Sequence, residues 1–275
     1  MRTILLCRDG ADQRHLANAL AGAGRLDAIV VEGRGNARRG KLARVLGRAR
    51  WWQVPARLLD VAILVAYGTW SERLLASGLA VDGYPQEVRR IEVGNANDPT
   101  SVDALRNLDA DVLIVLGTSI LGDDVLTSPK RYALNLHGGA LPDYRGVYSD
   151  FWALANDRPD RVGSVVFHLD PGVDTGEIAL EEMLDVERST TLNDIKIANA
   201  RLRARLALQA LDLAEAGDLP RNPQPAEGGR NWRAPTGMQL LRGLWHIRRS
   251  RRRRPVSCST YSRPRPWKAS RNTRP

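Results

Sequence analysis

Three polar side chains near the middle of the chain have the types and spacing that acyl-group chemistry requires. Asn135 and His137 stand two residues apart in the segment 133–137, so on a β-strand both project from one face. Asp174 follows in the loop sequence Gly-Val-Asp-Thr-Gly. An amide can donate to a developing oxyanion, an imidazole can donate or shuttle a proton, and a carboxylate can orient that imidazole. These three residues are the candidate catalytic group.

Each of these residues, taken alone, also has an ordinary structural explanation. An Asn or His at a strand end usually satisfies local hydrogen bonds, and Asp-Thr-Gly is a common turn. The order of the surrounding pattern favours function. Asn-x-His leads into Leu-Pro-x-Tyr-Arg-Gly, then a predicted helix (150–156), a predicted strand (162–168) and the sequence Asp-Pro-Gly-Val-Asp-Thr-Gly.

This ordered set resembles the folate-dependent formyltransferases, which include the glycinamide ribonucleotide, methionyl-tRNA and sugar N-formyltransferases. The resemblance is strongest over 109–184 and is compatible with the chain from Met1 onward. It implies that Asn135, His137 and Asp174 are catalytic and that 10-formyltetrahydrofolate donates a formyl group to an amine. The chain departs from the family pattern after the histidine, where two glycines replace a sequence that contains serine. A hydroxyl is therefore missing from this loop.

The resemblance also implies a folate pocket at the end of the apolar strand 111–116. The loop after this strand would line the pocket, and the residues of 170–174 would form its other wall. Two of the candidates, Ile120 and Leu121, could equally belong to the core. The cofactor-binding candidates are Gly117, Ile120, Leu121, Asp170 and Val173.

By the same resemblance, the first loop of the chain would face the acceptor amine. An ordinary turn followed by a helix cap also explains any one of its residues. The acceptor-contact candidates are Asp9, Gly10, Gln13 and Arg14.

The order of elements predicts an α/β fold. Strand 3–7, helix 12–23 and strand 27–31 form a βαβ unit, which indicates parallel pairing. The first turn lacks the G-x-G-x-x-G pattern, which disfavours a dinucleotide. Segments 191–216 and 238–247 are predicted to be a long and a short helix. We expect a formyltransferase-like, Rossmann-like, mostly parallel twisted sheet flanked by helices, with a helical insertion and a basic tail.

We expect a catalytic domain over 1–216, which contains a basic helical insertion at 33–83. The insertion has a basic portion, two tryptophans and an apolar run over 54–79. It is either a solvated helical hairpin or a surface for an acidic ligand or a membrane. Segment 217–275 is expected to be a linker and a disordered Arg-rich tail, because its Arg/Pro/Ser composition cannot offset the entropy of ordering. The tail is either dispensable or binds RNA or an anionic membrane.

The charge of the chain is unevenly distributed. The formal net charge is +10, but 221–275 alone carries 15 Lys and Arg and one acidic residue, which leaves 1–220 with a balance of −4. A basic field around the catalytic group is therefore not expected. The two cysteines, Cys7 and Cys258, show no sign of a disulfide, which suits a cytoplasmic protein. We find no signal peptide and no apolar run long enough to span a membrane.

No metal is expected, because the four histidines and two cysteines lack metal-ligand spacing. We expect a folate-dependent N-formyltransferase. A nucleotide-linked amino sugar is the favoured acceptor by elimination, since 221–275 lacks the alternating strands of a C-terminal β-rich domain and the first loop departs from the purine enzyme. Methionyl-tRNA or glycinamide ribonucleotide as acceptor remains an alternative, as does a non-catalytic protein that binds nucleic acid through its basic tail.

Overall fold

The computed structural model of the protein describes residues 1–33, 53–187, 190–225 and 229–253. A seven-stranded sheet in the order β3-β2-β1-β4-β5-β7-β8 forms its centre. The first five strands in this order pair in parallel, and β7 and β8 are antiparallel. The strands of the sheet are β1 (Thr3–Arg8), β2 (Ala28–Glu32), β3 (Arg89–Val93), β4 (Val112–Leu116), β5 (Tyr132–Gly138), β7 (Gly163–His168) and β8 (Ile178–Met183).

Helices cover both faces of this sheet. The central strands are buried on both sides, so their side chains alternate between two cores. The helices are α1 (Ala11–Gly22), α2 (Val54–Leu79), α3 (Pro99–Asn107), α4 (Asp123–Leu126), α5 (Ser149–Ala155), α6 (Leu192–Ala216) and α7 (Gly237–Arg253). Leu5 of β1 belongs to the core under α1 and α6, whereas Leu6 belongs to the core under α3 and α4.

Helix α6 shows how the sequence sets its own boundaries. Thr191 caps the first turn by accepting a hydrogen bond from the Asp194 N–H, and the Asp194 carboxylate accepts one from the Thr191 N–H. Gly217 ends the helix in a left-handed conformation, with φ of +81°. The predicted helix over 191–216 is thus confirmed, and so is the α/β fold with its mostly parallel sheet.

The structure describes part of the predicted insertion and part of the predicted C-terminal segment. The apolar run of the insertion forms α2, whereas the basic portion and the two tryptophans before it lie outside the described residues. The described part of the predicted linker is tied to the domain. Its β9 (Asn231–Trp232) pairs with β6 (Arg145–Gly146), and Asn222 forms a bridge with Ile178. The predicted short helix extends to α7. Such short pairings arise from backbone hydrogen bonds to distant strand edges, which leave no periodic signal in the sequence.

Among the described residues, no helix combines the length and apolar character needed to cross a membrane.

Candidate active site

A cleft of about 470 Å³ opens at the carboxyl edge of β4 and β5. Asn135, His137 and Asp174 all line it, although β5 supplies the first two and the loop between β7 and β8 supplies the third. The volume is within the usual range for a small-molecule site. Parallel sheets of this type bind ligands at the carboxyl ends of their strands. The three residues that the sequence singled out are therefore gathered in one cavity, while their catalytic roles stay a prediction.

Backbone and side-chain contacts fix the His137 ring in place. Its Nε2 atom lies 2.7 Å from the carbonyl oxygen of Tyr144, and because a carbonyl only accepts, we assign the proton to Nε2. Nδ1 then faces Asp174, at 3.7 Å from Oδ2. The Ser149 hydroxyl lies 3.2 Å from Nε2. A hydroxyl absent from the loop after His137 is thus present beside the ring from the first turn of α5, which sequence reasoning missed.

Asp174 adopts a strained backbone conformation that several contacts support. Its φ is +53°, in the left-handed region that Asp tolerates better than most residues. The carboxylate accepts a hydrogen bond of 2.7 Å from the Gly146 N–H. The side-chain amide of Gln224 donates to the carbonyl oxygens of Asp174 and Gly176, at 2.9 and 2.8 Å. Gln224 lies in the predicted linker, so no sequence signal linked it to the site.

Steric contacts explain why two glycines follow His137 in this structure. Gly139 has φ of +89°, and a Cβ atom there would lie 2.8 Å from the Ser149 Cβ. A Cβ on Gly138 would lie 3.2 Å from Arg203 Nη1 and 3.7 Å from Asp150 Oδ1. The departure from the family pattern therefore makes room for neighbouring side chains.

One wall of the cleft, which we call the donor wall, contains every predicted cofactor-binding residue. Gly117 has φ of +71°, which turns the chain sharply after β4. Ile120 and Val173 expose 72% and 37% of their surface, so apolar area is available to a ligand. Leu121 is 9% exposed and also packs in the core, so both of its predicted roles are compatible with the structure. The donor wall consists of Gly117, Ile120, Leu121, Asp170 and Val173.

Glu32, another residue that sequence reasoning missed, holds the loop of the donor wall. It lies at the end of β2 and is 2% exposed. Its carboxylate accepts hydrogen bonds from the N–H and hydroxyl of Ser119 and from the Ala96 N–H, and lies 2.9 Å from Arg8 Nε. Burial alone would raise the pKa of Glu32, but the contacts with Ser119, Ala96 and Arg8 together lower it.

The four predicted acceptor contacts do not form one group. Asp9 and Arg14 form an ion pair of 2.7 Å and line a second cleft beside Tyr84. Gln13 instead reaches toward Gly117, since a Cβ on that glycine would lie 2.8 Å from its Nε2. A Cβ on Gly10 would likewise meet the side chain of Gln13. Their role in binding an acceptor stays a prediction.

The wall opposite the donor wall is charged, and the sequence did not single it out. We call it the charged wall. Its residues belong to α1, α5 and α6. Because they are up to 191 residues apart in the sequence, they form no local motif. In the part of the chain that the structure describes, no group of three or more His, Cys, Asp or Glu side chains has the geometry of a metal site. The charged wall consists of Asp12, Asp150, Lys196 and Arg203.

Comparison with known proteins agrees with this geometry. A family model described as formyl transferase matches residues 72–211, which is about half of the chain and includes the three candidate catalytic residues. The methionyl-tRNA formyltransferase of Methylacidiphilum infernorum is 37% identical over 131 residues, 47% of this chain and 41% of that protein. That of Delftia acidovorans is 35% identical over 153 residues, 54% of this chain and 43% of that protein. The chain thus spans less than half the length of these relatives.

Solved structures share the fold at low sequence identity. An N-formyltransferase from Helicobacter canadensis, in complex with folinic acid and dTDP-3-aminofucose, has a TM-score of 0.55 and 11% identity, covering 89% of this chain and 81% of that one. Glycinamide ribonucleotide transformylase 1 from Symbiobacterium toebii has a TM-score of 0.53 and 17% identity, covering 82% and 95%. On the match of the family model, the chain belongs to the formyl transferase family.

Proposed function

We propose that this protein transfers a formyl group from 10-formyltetrahydrofolate to the amine of a small acceptor, and that the acceptor is a nucleotide-linked amino sugar. The observation that carries this proposal is the convergence of Asn135, His137 and Asp174 in one cleft, beside a wall with exposed apolar side chains. Membership of the formyl transferase family supports the reaction class. A formylated folate supplies the activated carbonyl carbon, and the residues of the cleft fit such a donor.

Asn135 is suited to stabilise negative charge on the formyl oxygen. Within the described residues its side-chain amide has no hydrogen-bond partner, so its N–H groups are available to a ligand. An oxyanion contact of this kind is worth ~3 kcal/mol in other enzymes. Asn135 also shares a strand face with His137, so both can approach the same carbonyl group.

His137 and Asp174 are suited to move protons in the reaction. Because Nε2 of His137 is held by the Tyr144 carbonyl, Nδ1 is the nitrogen that exchanges a proton near Asp174. Protonated at Nδ1, the ring donates toward the leaving nitrogen of the folate. Asp174 faces the ring and orients it, while the hydrogen bond from Gly146 keeps the carboxylate in position.

The amino-sugar acceptor is supported by the charged wall of the cleft and by one structural neighbour. The charged wall suits a substrate with an ammonium and hydroxyl groups, because its carboxylates can bind such groups. The Helicobacter canadensis enzyme shows that this fold is found with an amino-sugar nucleotide. Methionyl-tRNA is the second candidate acceptor, since the relatives described above carry that activity in their names.

A panel assay tests this function. The full chain is incubated with 10-formyltetrahydrofolate and, separately, with dTDP-3-aminofucose, glycinamide ribonucleotide or methionyl-tRNA, and tetrahydrofolate release and product mass are followed. We expect formylation of the amino sugar. If only methionyl-tRNA were formylated, the acceptor would be a tRNA and not an amino sugar. A chain that formylates no amine and binds no folate would contradict the whole proposal.

Substitution of the catalytic group tests the mechanism. We expect Asn135→Ala to lower kcat by about 10²–10³-fold, because the oxyanion loses a donor. We expect Asp174→Asn to lower it as well while keeping the left-handed backbone, which Asn also tolerates. Asn156→Ala and Asp103→Asn, outside the cleft, are the matched controls. Circular dichroism checks folding, and full turnover in either site variant would refute the assigned roles.

A further inference from the structure

The cleft has two unlike halves on either side of the end of β5. Side chains alternate along the strand, and Leu134 and Leu136 pack in the core under α1 and α6. Gly138 has the same parity, and the space beside it contains Asp150 and Arg203. The charged wall therefore lies on the α1 and α6 side of the strand. The donor wall is formed by the loops that follow β4 and β7, next to the core under α3 and α4.

Building on the proposed function, we infer that Asp150 receives the ammonium group of the acceptor and takes its first proton. If the formyl donor occupies the donor wall, an acceptor reaches the same carbon from the other half of the cleft. Asp150 lines that half and keeps part of its surface open to it. It also follows Ser149, whose hydroxyl lies beside the His137 ring, so it stands next to the catalytic group.

Neighbouring side chains hold the Asp150 carboxylate in one position. The amide of Asn199 donates to Asp150 Oδ1 at 2.7 Å, and the Ser164 hydroxyl donates to Asn199 Oδ1 at 2.9 Å. Both Asn199 and Ser164 are fully buried. A carboxylate fixed by buried partners is preorganised for a ligand, because little is lost in ordering it.

Burial outweighs the positive charges around Asp150 and leaves it able to accept a proton. Arg203 is committed to Asp12 at 2.6 Å, and Lys196 donates to the Ser71 hydroxyl at 2.7 Å. Burial raises the pKa of Asp150, while Arg203, Asn199, Lys196 and His137 oppose that rise. A carboxylate with a raised pKa is a better base toward an ammonium group than an exposed one.

The proton balance of the reaction requires such a base. The acceptor enters as an ammonium ion, and Asp150 takes one proton to free its lone pair. The amine nitrogen then bonds to the formyl carbon and passes its second proton to Nδ1 of His137. The bond from that carbon to N10 of the folate breaks, and His137 delivers the same proton to N10. One proton is released to solvent in each cycle, when Asp150 is deprotonated again.

Asp150→Asn tests this role, because Asn keeps an oxygen that can accept from Asn199. With an accepted amine we expect kcat/KM to fall by about 10²-fold, while the affinity for folinic acid is unchanged. We expect kcat/KM of the wild type to decline toward acid pH as Asp150 protonates, and we expect this decline to be weaker in the variant. Asp103→Asn is the matched control. An unchanged kcat/KM with an unchanged pH profile would overturn the inference.

Thermal unfolding separates this role from a structural one. The raised pKa means that the charged form of Asp150 costs stability at neutral pH. We therefore expect Asp150→Asn to be at least as stable as the wild type. A loss of activity that parallels a large loss of stability would assign Asp150 a structural role instead.

Chemical labelling tests the inference without turnover. The full chain is treated with a water-soluble carbodiimide and glycine ethyl ester, an amine, and the modified peptides are identified by mass spectrometry. We expect the amine to couple to Asp150, because that carboxyl is reachable from the cleft. Formyl transfer without labelling of Asp150 would refute this inference alone. Labelling in a chain that formylates no amine would instead count against the proposed function and leave the amine-accessible carboxylate in place.

Discussion

At the scale of single residues, Glu32 connects the core of the sheet to the proposed donor wall. One buried carboxylate binds the Ser119 N–H at 2.8 Å and the Ala96 N–H at 3.2 Å. Ser119 lies between Gly117 and Ile120, so a change at Glu32 would alter the wall without touching a ligand. The shape of the donor wall is therefore determined by a residue beneath it.

We expect Glu32→Gln to destabilise the protein by ~2 kcal/mol, because buried donors lose a charged acceptor. The pKa of Glu32 is lowered in the folded state, so its stabilisation is present above the unfolded-state pKa and is lost as pH falls through the folded-state value. The difference between wild type and variant in urea unfolding should accordingly shrink in acid. Exposed Glu92→Gln is the control, and equal loss of stability in both variants would contradict this account.

The residue scale also shows what sequence can and cannot identify. Asn135 and His137 were found because strand spacing alone places them on one face. Ser149, Gln224 and Asp150 were missed, since each meets the cleft through contacts that only the folded chain creates. The spacing of residues predicts the face of a strand from which a side chain projects, but it does not predict which distant segment packs against that face.

At the scale of elements, the segment after α6 supports the cleft from outside the range of the family model. Trp232 of β9 stacks on Tyr144 and Trp152, at ring-centre distances of 5.7 and 4.9 Å. Its indole N–H donates to the Asp143 carbonyl at 3.0 Å. These contacts hold the segment whose Tyr144 carbonyl orients His137. Helix α7 adds Leu240 and Ile247 to the core beside α5.

Two truncated chains test whether the segment 218–253, and not the tail after it, is needed for stability and activity. We expect a chain ending at residue 253 to keep its thermal stability and its formyl transfer. A chain ending at 217 should lose both, since it lacks Gln224, β9 and α7, and burying each large apolar side chain of α7 is worth about 2 kcal/mol. Thermal unfolding and the panel assay measure the effect. Full activity in the shorter chain would show that the contacts with Trp232 are dispensable.

Secondary-structure elements were predicted correctly where the periodic pattern of apolar residues extends over several helical turns. Helix α2 begins and ends where the apolar run does, and α6 has a capping box and a terminal glycine. Strands β6 and β9 have two residues each, which is too short for any period. The sequence from 217 onward is therefore interpreted as a linker, although its described part contains β9 and α7.

At the scale of the whole molecule, the excess of positive charge and the candidate active site lie in different parts of the chain. Segment 254–275 contains six Lys and Arg and no acidic residue, whereas 1–220 has a balance of −4. The cleft lies within the acidic part. Any attraction for nucleic acid is therefore expected to come from the C-terminal end, and not from the surface around the active site.

Nucleic-acid binding by the full chain and by the chain ending at 253 tests this separation. We expect the full chain to bind RNA with a steep dependence on salt, and the slope to fall when the six cations are removed, because fewer phosphate contacts release fewer counterions. Formyl transfer to a small amine should not change. Undiminished RNA affinity in the shorter chain would place the nucleic-acid surface in the folded body.

Gly138 has a consequence for how such proteins diverge. The space beside this glycine admits the charged wall, whereas the donor wall stands on separate loops and is anchored by Glu32. A side chain at this position would require Arg203 to shift but would leave the donor wall unchanged. If the two walls bind the two substrates as proposed, a change at this position alters the choice of amine without altering the wall for the one-carbon donor.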